Sequence, residues 1–120
     1  YNGFVTVGSP VLPNPQSVPV TLNVTAAPPG PPVITSVTNG GSFLPGPISP
    51  GNIVTIKGRE LGPAQGVSFT VNNQGGIDPL LAGVRVLFDG IPGTPLFAQA
   101  EQINVVDPFE HAGRTVTRIV

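Results

Sequence analysis

The sequence predicts an all-β protein, an immunoglobulin-like β-sandwich preceded by a short N-terminal strand extension. Val, Ile and Thr, the β-branched residues that favour strands, number 35 among 120 residues. The 16 Gly and 16 Pro residues divide the chain into short segments, and no segment keeps the 3.6-residue periodicity of an amphipathic helix. Disorder is disfavoured because the chain is 39% hydrophobic and only 9% charged.

Residues 1–25 form the predicted extension, which contains two strands. The first is short and covers residues 4–7, and the second covers residues 18–25 with strict alternation of apolar and polar side chains. Two strands alone are at best marginally stable in water, so their apolar side chains must be buried against something else. We therefore predict an assembly surface made of the apolar residues of both strands, which are Val5, Val7, Val18, Val20, Leu22 and Val24.

Residues 26–32, Ala-Ala-Pro-Pro-Gly-Pro-Pro, are predicted to be a linker. Such a segment favours an extended polyproline conformation, with about 3.1 Å per residue and a span of roughly 20 Å. The linker separates the extension from residues 33–120. This stiffness makes it awkward for the extension to fold back onto the same chain.

Residues 33–120 contain seven predicted strands, which is the number in an immunoglobulin-like sandwich. Turn residues separate them, and Asp89-Gly90 is predicted to be a hairpin turn. The strands lie within residues 33–38, 53–57, 67–71, 84–88, 95–98, 102–106 and 115–120. Alternation along them predicts an inward-facing set composed of Val54, Ile56, Val84, Val86, Phe88, Ile103 and Val105.

Three segments of residues 33–120 resemble motifs of IPT/TIG-type immunoglobulin-like domains. Residues 53–63 are similar to a strand followed by Gly-x-x-Leu-Gly, and residues 83–92 to a G-V-x-V-x-F-x-G-x-P hairpin. Residues 102–109 resemble a Q-I-N-x-x-V-P-F segment, from which Asp107 departs because the pattern has Val there. The resemblance is to uncharacterised C-terminal β-domains of large secreted bacterial proteins. It implies an immunoglobulin-like fold and an extracellular or cell-surface location, but no reaction.

Residues 1–25 are similar to the final strands of BACON-like bacterial β-sandwich repeats. This resemblance implies a second origin for the extension, as the end of a truncated preceding domain. The two interpretations, strands donated to a neighbour and the remainder of a domain, both stay open at this point.

Charge and composition exclude several classes of function. The net charge is −1 with five Lys and Arg residues, too few for the basic surface that nucleic-acid binding requires. No apolar run approaches the ~18 residues of a membrane-spanning helix. The absence of cysteine excludes disulfides and thiolate metal sites. All the charged residues lie at or after Lys57, a distribution commoner in secreted β-proteins.

The residues available for catalysis are few, and we predict no enzyme and no catalytic, cofactor-binding or metal-binding residues. His111 is the only histidine, so a Ser–His–acid triad would have to use it. It lies in a turn-like segment and is interpreted as a solvated loop histidine. Asp107, Glu110 and His111 carry oxygen and nitrogen atoms that could bind a cation, but their spacing matches no known cation-binding loop, so we expect these side chains to be solvated at the surface.

Two functions remain. The first is an extracellular structural protein, a filament subunit that associates with copies of itself head to tail through strand addition. The alternative is a binding or spacer module for a glycan or a surface partner. Phe43, Phe97 and Phe109 are the loop aromatics on which a sugar would stack, although most phenylalanines are expected in the core.

Overall fold

The computed structural model describes residues 2–7, 16–21 and 30–120, with side chains described for residues 19–21 and 30–120. The predicted all-β class is confirmed. The described part consists of antiparallel strands and one 3₁₀ turn, Phe109–His111. A five-stranded sheet and a second, smaller sheet give a β-sandwich-like fold.

The N-terminal strands β1 (Asn2–Val7) and β2 (Gln16–Thr21) pair antiparallel with each other. Among the described residues they form a two-stranded sheet that hydrogen-bonds to no other strand. The second half of the longer predicted strand lies outside the described residues, and so do residues 26–29 of the predicted linker. The division into extension, linker and sandwich therefore stays a prediction.

Seven further strands follow the N-terminal pair: β3 Val33–Asn39, β4 Ile53–Arg59, β5 Val67–Ser68, β6 Leu87–Phe88, β7 Ile91–Pro92, β8 Thr94–Gln99 and β9 Gln102–Val106. The main sheet contains five of them in the order β3-β4-β9-β8-β5, and every neighbouring pair is antiparallel. The strand β3 lies at one edge of this sheet and the two-residue strand β5 at the other. A second layer is formed by the hairpin β6–β7.

The second layer is shorter than predicted. Leu81 and Val84 exchange both backbone hydrogen bonds across a tight turn, so the strand predicted from residue 84 begins only at Leu87. The strand predicted at residues 115–120 is reduced to a single bridge between Ile119 and Phe88. Leu87 and Val120 nevertheless exchange N–H···O bonds of 2.8 and 3.0 Å, so the C-terminal segment runs along β6.

The hairpin predicted at Asp89-Gly90 is present and joins β6 to β7. Both residues have positive φ, 51° and 88°, which is the requirement of a type I′ turn and the reason a Gly is suited there. The turn returns the chain toward the main sheet.

The core lies between the two layers and contains the predicted residues with one exception. Register pairs Val54 with Val105 and Ile56 with Ile103 across the main sheet, so all four point to one face. Six of the seven predicted residues are buried, and Val84 is only half-buried at the margin because of its turn. The buried apolar set is Val54, Ile56, Leu61, Val86, Phe88, Ala98, Ile103 and Val105.

The Gly-x-x-Leu motif after β4 has a structural role. A Cβ on Gly58 would lie 2.0 Å from the carbonyl oxygen of Val33, so only glycine permits β3 to approach there, next to its β-bulge. Leu61, three residues later, joins the core. The motif thus fixes how β3 begins along the edge of the sheet.

Candidate functional site

An apolar cleft of about 590 Å³ lies between the main sheet and the second layer. The second layer has only two strands of two residues each, so it leaves this end of the main sheet uncovered. The opening is flanked by Glu60 and Arg85. Its apolar lining includes Ile34, Ile56 and Ile103 from the main sheet, Leu61 from the segment after β4, and Val84, Val86, Ile119 and Val120 from the opposite side.

The cleft opens beside the unpaired edge of the main sheet. No other described strand pairs with the outer side of β3, and Val33 and Ile34 at its start are exposed. Pro32 and Ile34 also line the cleft. A strand edge with free backbone N–H and C=O groups is a template for an added strand. Here the edge of β3 adjoins the apolar walls of the cleft, and every second side chain of an added strand would contact these walls.

The six residues predicted to form an assembly surface fall partly within the described region. Val5 lies on β1 opposite Val18 of β2, and Val7 lies opposite Gln16. Val20 is on β2 with a side chain 45% exposed. Leu22 and Val24 lie outside the described residues. The structure therefore brings the two strands together as a hairpin and leaves their docking as a prediction.

The interpretation of His111 as a solvated loop residue is wrong, because its side chain is only 6% exposed. The 3₁₀ turn Phe109–His111 directs the ring inward, where it lies 6.1 Å from the Phe88 ring centroid. His111 Nδ1 lies 3.3 Å from Oδ2 of Asp107, which is fully buried. The Asp107–His111 spacing of four residues, closed by a turn after Pro108, is the sequence signal that could have indicated this contact.

The opposite side of the His111 ring contacts the second layer. Nε2 lies 3.6 Å from Oδ2 of Asp89 and hydrogen-bonds with the Thr117 hydroxyl. Asp89 also accepts the backbone N–H of Arg118 at 2.9 Å, and Arg114 lies 3.6 Å away. We name these residues, Asp89, Asp107, His111, Arg114 and Thr117, the Asp–His cluster. It ties the C-terminal segment, which carries Ile119 in the cleft wall, to the hairpin turn and to the end of β9.

The Asp–His cluster differs from the cation site considered from the sequence. Glu110 is exposed and makes no hydrogen bond or ion pair with the cluster. In the described part of the chain, no three His, Asp or Glu side chains are arranged to hold a metal ion. The expectation of solvated side chains holds for Glu110 and is wrong for Asp107 and His111. A hollow of about 360 Å³ lies beside the cluster.

The phenylalanines are less buried than expected. Phe88 is the one core phenylalanine among residues 30–120, whereas Phe43, Phe69 and Phe109 are exposed and Phe97 is half-buried. The two-residue length of β5 explains Phe69, which follows that strand. Phe109, 75% exposed, lies over Gly51, where a Cβ would come within 2.6 Å of the ring. Two of the three predicted sugar-stacking residues are therefore accessible, on separate loops.

Comparisons with known proteins identify no relative, since no family model, curated protein or solved structure matches the chain. Among the described residues there is also no helix long and apolar enough to cross a membrane.

Proposed function

We propose that this chain is an extracellular structural protein, a subunit of a surface filament assembled head to tail by strand addition. One observation carries the proposal. The chain contains a separate N-terminal pair of strands and, after the predicted linker, a sandwich with an unpaired edge strand beside an open apolar cleft. In the proposed β-strand addition the N-terminal pair of strands would be the donor and the unpaired edge of a neighbouring sandwich the acceptor.

The geometry of such a contact favours a filament. The donor and acceptor surfaces are different parts of the chain, so the contact is heterologous and leaves one free donor and one free acceptor after each addition. Repetition of a heterologous contact that does not close gives an open polymer. Each subunit would extend the filament by one sandwich.

The composition of the N-terminal strands supports their role as the donor. The first charged residue of the chain is Lys57, so burial of β1 or β2 desolvates no charged group, which would be costly. The predicted extracellular location is supported by this low charge and by the resemblance to IPT/TIG-type domains of secreted proteins.

Deletion of residues 1–25 tests the proposal. We expect the intact chain to form filaments by negative-stain electron microscopy and large species by light scattering. The deleted protein should be a monomer with the circular dichroism of a folded β-protein. A monomeric intact chain at all concentrations would exclude the filament, and polymers of the deleted protein would exclude the N-terminal strands as donor.

A pair of adjacent substitutions gives a matched control. Val20→Asp places a charge on the apolar set of the donor, whereas Thr21→Asp places the same charge on the alternate face of β2. We expect Val20→Asp to abolish polymers and Thr21→Asp to preserve them. Equal loss in both variants would mean that β2 acts without the predicted face specificity.

The exposed phenylalanines support a second candidate function, a glycan-binding or partner-binding spacer module. Phe109 and Phe43 present apolar rings to solvent on loops, and aromatic rings of this kind contact sugars and protein partners. Binding to a glycan array that survives deletion of residues 1–25 and is lost in Phe109→Ala would favour this module over the filament subunit.

A further inference from the structure

We infer that the apolar cleft is the acceptor site for strand β2 and the residues after it, donated by a second copy of this chain. The inference rests on the proposed function and adds the site of docking and its occupant. The strand would lie along the outer edge of β3 and insert its apolar side chains between the two walls of the cleft.

The chemistry of the walls matches the pattern of the donor. Both walls are apolar, with Ile34 and Ile56 on one side and Val86 and Ile119 on the other, and the charged Glu60 and Arg85 stand at the opening. Residues 18–24 have an apolar side chain at every second position. In an extended strand these side chains point to one face, so they enter the cleft together while the polar alternates remain outside.

The edge of β3 supplies the backbone partners. Strand addition is held by main-chain hydrogen bonds, and side-chain pockets select the strand. Pro19 has no N–H group and cannot donate to a ladder at that position. The ladder between the donor and β3 is therefore complete only if the backbone of Pro19 faces the opposite edge of β2, and it lacks one hydrogen bond otherwise.

The linker sequence favours a second copy over the same chain as the source of the donor. Residues 26–32 lead directly into β3 at Val33. To pair with its own β3, the donor would have to reverse direction within this Pro-rich segment, which favours an extended path of roughly 20 Å. An extended linker instead carries the donor away from its own edge and toward that of a neighbour.

The 120 residues contain no cysteine, which permits a direct test by disulfide formation between two single-cysteine variants. Val20→Cys labels the donor and Val84→Cys labels the cleft wall. Because each protein carries one cysteine, any mixed disulfide must join two chains. Gln99→Cys is the matched control on β8, next to buried Ala98 and therefore on the outer face of the main sheet. Val120→Cys, at an exposed position of the wall, is the alternative if Val84→Cys destabilises the fold.

The Val20→Cys protein is mixed with the Val84→Cys protein or with the Gln99→Cys protein, and each mixture is oxidised. We expect the disulfide-linked dimer with Val84→Cys to form in at least tenfold excess over the dimer with Gln99→Cys. If filaments form but Val20→Cys forms disulfides equally well with Val84→Cys and with Gln99→Cys, the cleft is not the acceptor, and the proposed function still stands. Complete absence of polymers would overturn both. A further variant carries both Val20→Cys and Val84→Cys in one chain. If this variant forms an internal disulfide as a monomer, and the single-cysteine proteins form no mixed dimer, the strand in the cleft comes from the same chain and not from a second copy.

Discussion

The two layers of the sandwich are held together in different ways. The main sheet contains the longer backbone ladders, such as the uninterrupted five-residue pairing of β4 with β9. The second layer has strands of only two residues, and side chains of the Asp–His cluster connect it to its surroundings. Where the ladder is short, a buried polar network supplies the connection between segments. The layer with the weaker ladder is also the one that leaves the cleft open.

The largest effect is expected where both layers share one core. Val86→Asp places an unpaired charge at a position 3% exposed, and we expect it to lower the free energy of unfolding by more than about 3 kcal/mol. Urea denaturation measures this. The neighbouring Arg85→Gln, at an exposed position, is the control and should change the free energy of unfolding by less than about 0.5 kcal/mol. Equal midpoints for both variants would show that the assignment of inward faces is wrong.

An intermediate effect, confined to the second layer, is expected for His111→Ala. Removal of the ring deprives the fully buried Asp107 of its histidine partner and Asp89 of one of its contacts, and an unsatisfied buried group costs about 1–3 kcal/mol. Hydrogen exchange should accelerate at the amides of Leu87 and Val120, which bond only across the short ladder. The amide of Ile56 in the main sheet should exchange at the rate of the natural protein.

Glu110→Ala is the control for this experiment, because Glu110 is adjacent in sequence but exposed. It should leave all exchange rates unchanged. If His111→Ala accelerates exchange uniformly in both layers, the two layers unfold as one unit and the distinction between them does not extend to their stability.

The smallest effect is expected at the periphery of the Asp–His cluster. The Arg114 side chain is 54% exposed and its guanidinium lies 3.6 Å from the Asp89 carboxylate. Exposed ion pairs contribute about 0–1 kcal/mol, so Arg114→Ala should lower the free energy of unfolding by no more than that. Added salt should reduce the difference between the two proteins, since salt screens exposed charges. A loss as large as that of His111→Ala would mean that Arg114 is integral to the buried network.

Local sequence patterns were sufficient for four strands of the main sheet and for the hairpin turn, whereas the strand predicted at residues 67–71 was too long, since it ends at Ser68. Alternation in residues 53–57 and 102–106 identified the buried faces because side chains on a strand alternate between two sides. Asp89-Gly90 identified the turn because few residues adopt two successive positive φ angles. These properties depend on near neighbours along the chain, so they can be predicted from the sequence without knowledge of the fold.

The apolar cleft and the Asp–His cluster could not be predicted from such local patterns. His111 is buried because the fold brings its ring into contact with Thr117 and with Asp89, which lies 22 residues earlier in the chain. No local sequence pattern predicts contacts between segments so far apart. The strand expected from residue 84 was shortened by a turn whose residues give only a weak signal. Composition and alternation determined that this chain is a β-protein and which faces of its longer strands are apolar. Tertiary structure decided how far the second layer extends, because contacts between distant segments set which backbone groups pair and which apolar side chains remain uncovered.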